Sequence, residues 1–118
     1  MSKPLAPYTP GVHAGDWLIV SGQVGARDGA LVEGGFEAEC RQALSNLASV
    51  LAEHGATPGD VVKCTVFLTD MGRYATMNDL YAEFFGDHRP ARSAVAVAAL
   101  PLGAAFEIEA WAILGSPR

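Results

Sequence analysis

The sequence contains no apolar run approaching the ~20 residues that a membrane-spanning helix requires. Its opening stretch, MSKPLAPYTP, holds one lysine and none of the apolar core of a secretory signal. Basic clusters are also missing. Only 8 lysines and arginines stand against 13 acidic residues, for a formal net charge of −5. A nucleic-acid phosphate backbone would be repelled overall, which excludes nucleic acid as the expected main partner. Cysteine is scarce: Cys40 and Cys64 are in no metal-ligand spacing and each falls within an apolar pattern. Both read as reduced core thiols of a cytoplasmic protein rather than as a disulfide. His13, His54 and His88 form no metal-ligand spacing, and neither a glycine-rich phosphate loop nor a Ser-His-Asp order is visible. The expectation is a soluble cytoplasmic chain with no membrane, nucleic-acid or metal signature.

What remains is a chain of 118 residues, 50% apolar and 18% charged, which suits one domain over residues 1–118 with its own core. Three prolines in the first ten residues predict an irregular lead-in. The segment GVHAGDWLIVSGQVG reads as a hairpin, with strands near residues 12–14 and 17–21 about a Gly15-Asp16 turn. A turn at Asp28-Gly29 leads to a short strand at 30–32. From Phe36 the apolar period becomes helical, through Cys40, Leu44, Leu47 and Leu51, and Gly55 is the expected stop. VVKCTVFLT has the β-branched and aromatic content of a central strand. A second helix is expected from an N-cap near Asp70 through Tyr74, Met77 and Tyr81 to Gly86. Strands at 93–98 and 105–114, joined by a Leu100-Pro101-Leu102-Gly103 turn, close the chain.

The order β-β-β-α-β-α-β-β predicts an α+β layer in which two helices cover one face of a sheet. The uncovered face carries Val, Ala, Ile and Trp, so burial against copies of the same chain is expected.

Two features carry chemistry. In FEIEAWAI, strand alternation puts Glu107, Glu109 and Trp111 on one face and Phe106, Ile108 and Ala110 on the other. Two carboxylates in a strand centre fit either a solvated edge or a cleft, where reduced hydration would raise the pKa of a glutamate and suit it to proton transfer. In HRPARSAVAV, Arg92 heads a run of small and β-branched residues. A guanidinium there needs an anionic partner or a wet cleft. If the last two strands pair, Arg92 and Glu107 become neighbours, and a salt bridge competes with an anion-binding site. Ser21 and Gly22 end a strand with a small hydroxyl and a glycine that permits close approach. Tyr8 lies where it could cap a pocket, and Asn78 shares a helical stripe with Tyr74 and Tyr81.

In order, the segments PYTP, WLIVSGQVG, LSNLASVLAEHGATPGDVVKCTVFLTDM, YATMNDLYAEFFG and RPARSAVAVAALPLGAAFEIEAWAI resemble the RidA/YjgF family of imine and enamine deaminases. The resemblance spans nearly the whole chain, and its most specific part is PARS followed by a β run, LP and EIEA. It implies a chorismate-mutase-like fold assembled as a homotrimeric barrel, with sites at subunit interfaces and no metal or cofactor. The implied reaction is hydrolysis of 2-aminoacrylate-type enamines and imines to a 2-keto acid and ammonia. By position, Arg92 would hold the substrate carboxylate, Glu107 would orient water, and Tyr8, Ser21, Gly22 and Asn78 would line the pocket. A trimeric keto-acid binding or sensing protein without turnover is the alternative. Ribonuclease activity, assigned to some members, conflicts with the acidic charge. Ala94 stands where many members have cysteine and Arg89 where phenylalanine is common, while Gly25 and Ala26 replace a proline-containing continuation. The loop from Gly86 to Pro90 is also short, so these departures bear on substrate choice.

Overall fold

A computed structural model describes residues 6–114 of the protein. The elements are β1 (Gly11–Ala14), β2 (Trp17–Val24), β3 (Ala26–Arg27), β4 (Ala30–Leu31), α1 (Gly35–Glu53), β5 (Val61–Leu68), α2 (Tyr74–Phe85), β6 (Ala91–Ala96) and β7 (Phe106–Ile113). Five strands form one mixed sheet in the order β1-β2-β7-β5-β6, and β3 pairs with β4 in a separate small ribbon. Thus the strand expected at 30–32 is half of a ribbon outside the main sheet, and the strand expected to end at Ser21 runs on to Val24.

Both helices lie on the same face of the sheet. Strand alternation selects that face: Leu18 and Val20 of β2, Cys64 and Val66 of β5, and Phe106, Ile108, Ala110 and Ala112 of β7 are buried beneath Cys40, Leu44, Leu47 and Leu51 of α1 and Met77 and Tyr81 of α2. Leu47 and Leu51 are completely inaccessible, and burying each is worth about 1.5–3 kcal/mol. This fixes the rotation of α1. The helix stops at His54, where Gly55 takes a left-handed φ of 78° that a glycine adopts without strain. Asp70 caps a 3₁₀ turn, Met71–Arg73, by accepting from the Gly72 amide at 2.8 Å, and this turn runs directly into α2.

One expectation is corrected here. β6 and β7 are not a hairpin; β5 lies between them, parallel to β6 and antiparallel to β7. The connection of residues 97–105 passes over the end of β5, where the Val97 amide donates to the Leu68 carbonyl at 2.8 Å and the Thr69 amide to the Ala105 carbonyl at 3.3 Å. Two-residue loops are the commonest hairpin connections, and five residues is already long. The longer connection here is long enough to step across a strand.

On the uncovered face, Trp17 of β2 and Trp111 of β7 meet edge to face with centroids 5.8 Å apart. Val12, Val95 and Trp111 are among the exposed large apolar side chains.

Candidate active site

The new strand order separates the two charged residues expected to be neighbours. Glu107 pairs with Phe67 and Arg92 with Cys64. Positions 64 and 67 of one strand point to opposite faces. Glu107 therefore projects from the open face and Arg92 lies beneath α2, so a salt bridge between them within one chain is excluded.

Glu107 borders a cavity of about 360 Å³ lined by Ala6, Tyr8, Ser21, Gly22, Val24, Pro101, Leu102 and Glu107. Four residues singled out in the sequence thus meet in one place. An irregularity in β2 assembles them: between Val20 and Gln23 the strand takes three steps while its partner takes two, from Ala110 to Ile108. The extra residue is a β-bulge, which bends the strand and re-aims its side chains at Ser21 and Gly22. The Ser21 hydroxyl donates to the Thr9 carbonyl at 2.6 Å and its amide to the Pro10 carbonyl at 2.9 Å. These bonds hold the proline-rich arm, and Tyr8 with it, against the cavity.

Gly22 is needed for space. A Cβ at that position would lie 2.7 Å from Cδ of Glu107 and closer still to Oε2, so any larger residue displaces the carboxylate. Among the described residues no group donates to or ion-pairs with that carboxylate. Its pKa is raised above the ordinary glutamate value, first by loss of hydration and second by the negative charge of Glu109 on the same face. The cleft alternative for FEIEAWAI holds for Glu107.

Arg92 borders a second concavity, of about 340 Å³, with Asn78, Tyr81, Ala82, Arg89 and Pro90. Its Nη2 donates to the Tyr74 hydroxyl at 3.0 Å and its Nη1 to the Met77 sulfur at 3.8 Å. The guanidinium carbon lies 4.7 Å from the centroid of Tyr81 and 5.6 Å from that of Tyr74. Cation–π contact and neutral acceptors hold the fork in place while its charge stays uncompensated, because no carboxylate among the described residues pairs with it. Asn78 Oδ1 is buried in this region without a hydrogen-bond partner, and the Tyr81 hydroxyl has only the weakly bonding Cys64 thiol beside it. Desolvation pushes the Tyr81 phenol up. Such groups are costly unless something polar enters. Ala94, beyond Arg92 on the same strand face, packs against the core. Cys64, opposite Arg92, has its thiol pushed up to about 11 by burial, despite the lowering influence of the Tyr81 hydroxyl and then of Arg92. Cys40 is likewise pushed up to about 12 by burial, and both cysteines are free. Neither presents a thiolate at neutral pH.

Tyr81, Arg89 and the Pro101-Leu102 wall were not among the sequence candidates. Tyr81 had a signal in its shared stripe with Asn78. Leu102 had none, since its role depends on a positive φ of 62° in the connection over β5. Gly25 is also spatially constrained, because a Cβ there would lie 2.6 Å from Cα of Glu39 in α1. Among the described residues no group of three or more His, Cys, Asp or Glu side chains could hold a metal ion, and no helix is long and apolar enough to cross a membrane.

Comparison with known proteins places these features in context. The family model for endoribonuclease L-PSP matches residues 1–114. The chain is 42% identical over 113 residues to human 2-iminobutanoate/2-iminopropanoate deaminase, covering 94% of this chain and 82% of that one. The mouse protein of the same name is 43% identical, with 94% and 84% covered. Among solved structures, RidA from an Antarctic Psychrobacter superposes with a TM-score of 0.91 at 34% identity, covering 95% of this chain and 92% of that chain. TdcF of E. coli, solved with bound serine, superposes with a TM-score of 0.85 at 36% identity, with 92% and 88% covered.

Proposed function

The chain belongs to the endoribonuclease L-PSP family, the RidA/YjgF group, and from that premise we propose that it is a cofactor-free hydrolytic deaminase of small reactive enamines and imines. The observation that carries this reading is the Arg92 guanidinium, held by Tyr74, Met77 and Tyr81 with no carboxylate among the described residues to neutralise it. A planar fork in that state accepts a substrate carboxylate through two parallel hydrogen bonds.

Glu107 supplies the second requirement. A carboxylate with a raised pKa beside a hollow is suited to take a proton from water and return it to a leaving amine. The enamine is protonated at carbon to give the imine. Water adds to the imine carbon as Glu107 accepts its proton and returns it to nitrogen; the hydroxyl proton of the resulting carbinolamine then passes to the amine by the same carboxylate as the C–N bond breaks, leaving ammonia and a 2-keto acid. Imines hydrolyse unaided, so positioning and proton transfer suffice.

Arg92 and Glu107 lie on opposite faces of one sheet. In this reading a homotrimer completes the site, the Glu107 hollow of one subunit meeting the Arg92 hollow of the next, while the apolar open faces form the central barrel. The exposed Trp111 and Val95 support burial of that face. The test is release of pyruvate from 2-aminoacrylate generated in situ by a serine dehydratase. Acceleration over the uncatalysed rate is expected, and none with any small imino acid would overturn the reading.

A carboxylate-binding protein without turnover is the second reading, favoured by the relative solved with bound serine. Glu107→Gln separates the two, because an enzyme loses turnover and a sensor keeps its ligand affinity.

A further inference from the structure

The hollow beneath α2 carries more positive charge than one carboxylate clamp requires. Arg89 and Arg92 both line it, and among the described residues no acidic side chain does. Other arginines do not share a cavity in this way: Arg41 stands 3.6 Å from a Glu37 oxygen and 3.0 Å from one of Glu83, Arg27 donates to Gln42, and Arg73 lies over the Phe36 ring. In a chain with 13 acidic and 8 basic residues, two guanidinium groups sharing a cavity without a carboxylate partner call for an external anion.

Arg89 is already partly ordered. Its Nη1 donates to the carbonyls of Gly86 and His88, the latter at 2.9 Å, which tethers the side chain to its own loop. Among the described residues the other donors of its fork have no protein partner. Arg92 is likewise tethered, by Tyr74 and Met77. Pre-ordering of both forks lowers the entropy lost when an anion binds. The two Cα atoms, three residues apart, are at most about 11 Å from one another along the chain. Both charges favour the ionised form of the Tyr81 hydroxyl, which lines the same hollow. The buried, unpartnered Oδ1 of Asn78 adds an acceptor for a substrate N–H in the same wall.

We propose that Arg89 is a specificity-determining residue that takes a second, distal carboxylate, so that the preferred substrates are 2-imino dicarboxylates. This inference rests on the imine-deaminase reading of the site. Arg92 holds the carboxylate next to the imine carbon and Arg89 the one at the far end. Water adds to the imine carbon, the C–N bond breaks, and a 2-oxo dicarboxylate and ammonia leave with no change of oxidation state. A monocarboxylate leaves Arg89 hydrated and forgoes one charge-assisted contact, a difference of about tenfold to a hundredfold in specificity.

The test uses the full-length protein with 2-iminoglutarate, formed in situ from glutamate by an amino-acid oxidase, and a monocarboxylate imine of equal chain length formed in the same way. The ratio of kcat/KM, dicarboxylate over monocarboxylate, should exceed one by about tenfold. It should fall by at least about tenfold in Arg89→Met, survive in part in Arg89→Lys, and shrink as ionic strength rises. A ratio unchanged in Arg89→Met overturns the inference. A second measurement needs neither a variant nor turnover: calorimetric binding of 2-oxoglutarate and 2-oxopentanoate to the wild-type protein. Tighter binding of the dicarboxylate supports the assignment and equal affinity overturns it. If no imine is turned over faster than in buffer while 2-oxoglutarate still binds more tightly, the enzyme reading fails and the role of Arg89 stands.

Discussion

Around Glu107 the walls are backbone and small residues: a bulge at Ser21 and Gly22, a glycine with no room for a Cβ, and an arm pinned through the Ser21 hydroxyl. Around Arg92 they are large side chains of α2, with Tyr74, Met77 and Tyr81 gripping the guanidinium. The first hollow destabilises a negative charge by drying it, and the second stabilises a positive charge without neutralising it. A weakened carboxylate suits proton transfer and an unanswered cation suits anion capture. In the proposed reaction each hollow supplies half of what imine hydrolysis needs, and the sheet separates the halves within one chain.

Substitutions can break this contrast from either side. Glu107→Gln keeps the shape of its hollow and removes the proton acceptor, so kcat should fall by about 10²–10⁴. Binding of a keto acid, measured by calorimetry, should stay close to wild type. Arg92→Ala does the reverse. Loss of a bidentate charged contact should lower kcat/KM by about a hundredfold, with keto-acid affinity reduced in parallel. Arg92→Lys should recover only part of this, because a point charge lacks the fork. Gly22→Ala pushes the carboxylate aside. Only the flexible end of the Glu107 side chain has to move, so the denaturant midpoint should change little while kcat falls.

The pH dependence is subtler. Because the folded pKa of Glu107 is raised, its ionised, working form disappears as pH falls through a value above the ordinary carboxylate range. The acid limb of kcat/KM should therefore lie above that range and vanish in Glu107→Gln. For stability the sign is opposite. The fold favours the protonated form, so the contribution of this group is fully present below the unfolded pKa and is lost as pH rises through the folded one. At neutral pH Glu107→Gln should thus melt slightly higher than wild type, and a lower melting temperature would contradict the desolvation assigned to Glu107.

The same comparison explains what could be read from the sequence. Strand alternation placed Glu107 and Phe106 on opposite faces, helical spacing found both helices and their buried sides, and Gly55 marked the end of α1, because these are local consequences of chain geometry. The neighbours of Arg92 were less legible. A Pro-Gly connection after β6 suggested a hairpin, yet the partner of β6 is set by α2, which returns the chain parallel to β5. No local signal carries that choice, and with it went the expected meeting of Arg92 and Glu107. The bulge at Ser21-Gly22 was equally hidden, since it appears only against β7. The family resemblance supplied what spacing could not, by naming Arg92, Glu107, Tyr8, Ser21, Gly22 and Asn78 together. The structure brings them into two hollows, Asn78 and Arg92 in one and the other four in the second.

The central claim, that Arg92 and Glu107 act together from neighbouring subunits, is tested most directly by mixing two inactive variants. Arg92→Ala and Glu107→Gln protein, unfolded together and refolded at equal ratio, would form mixed cyclic trimers in which about a quarter of the interfaces pair an intact Arg92 with an intact Glu107. Deaminase activity should return to about that fraction of wild type, while each variant refolded alone stays inactive. Mixed trimers confirmed by mass spectrometry that remain inactive would contradict the account.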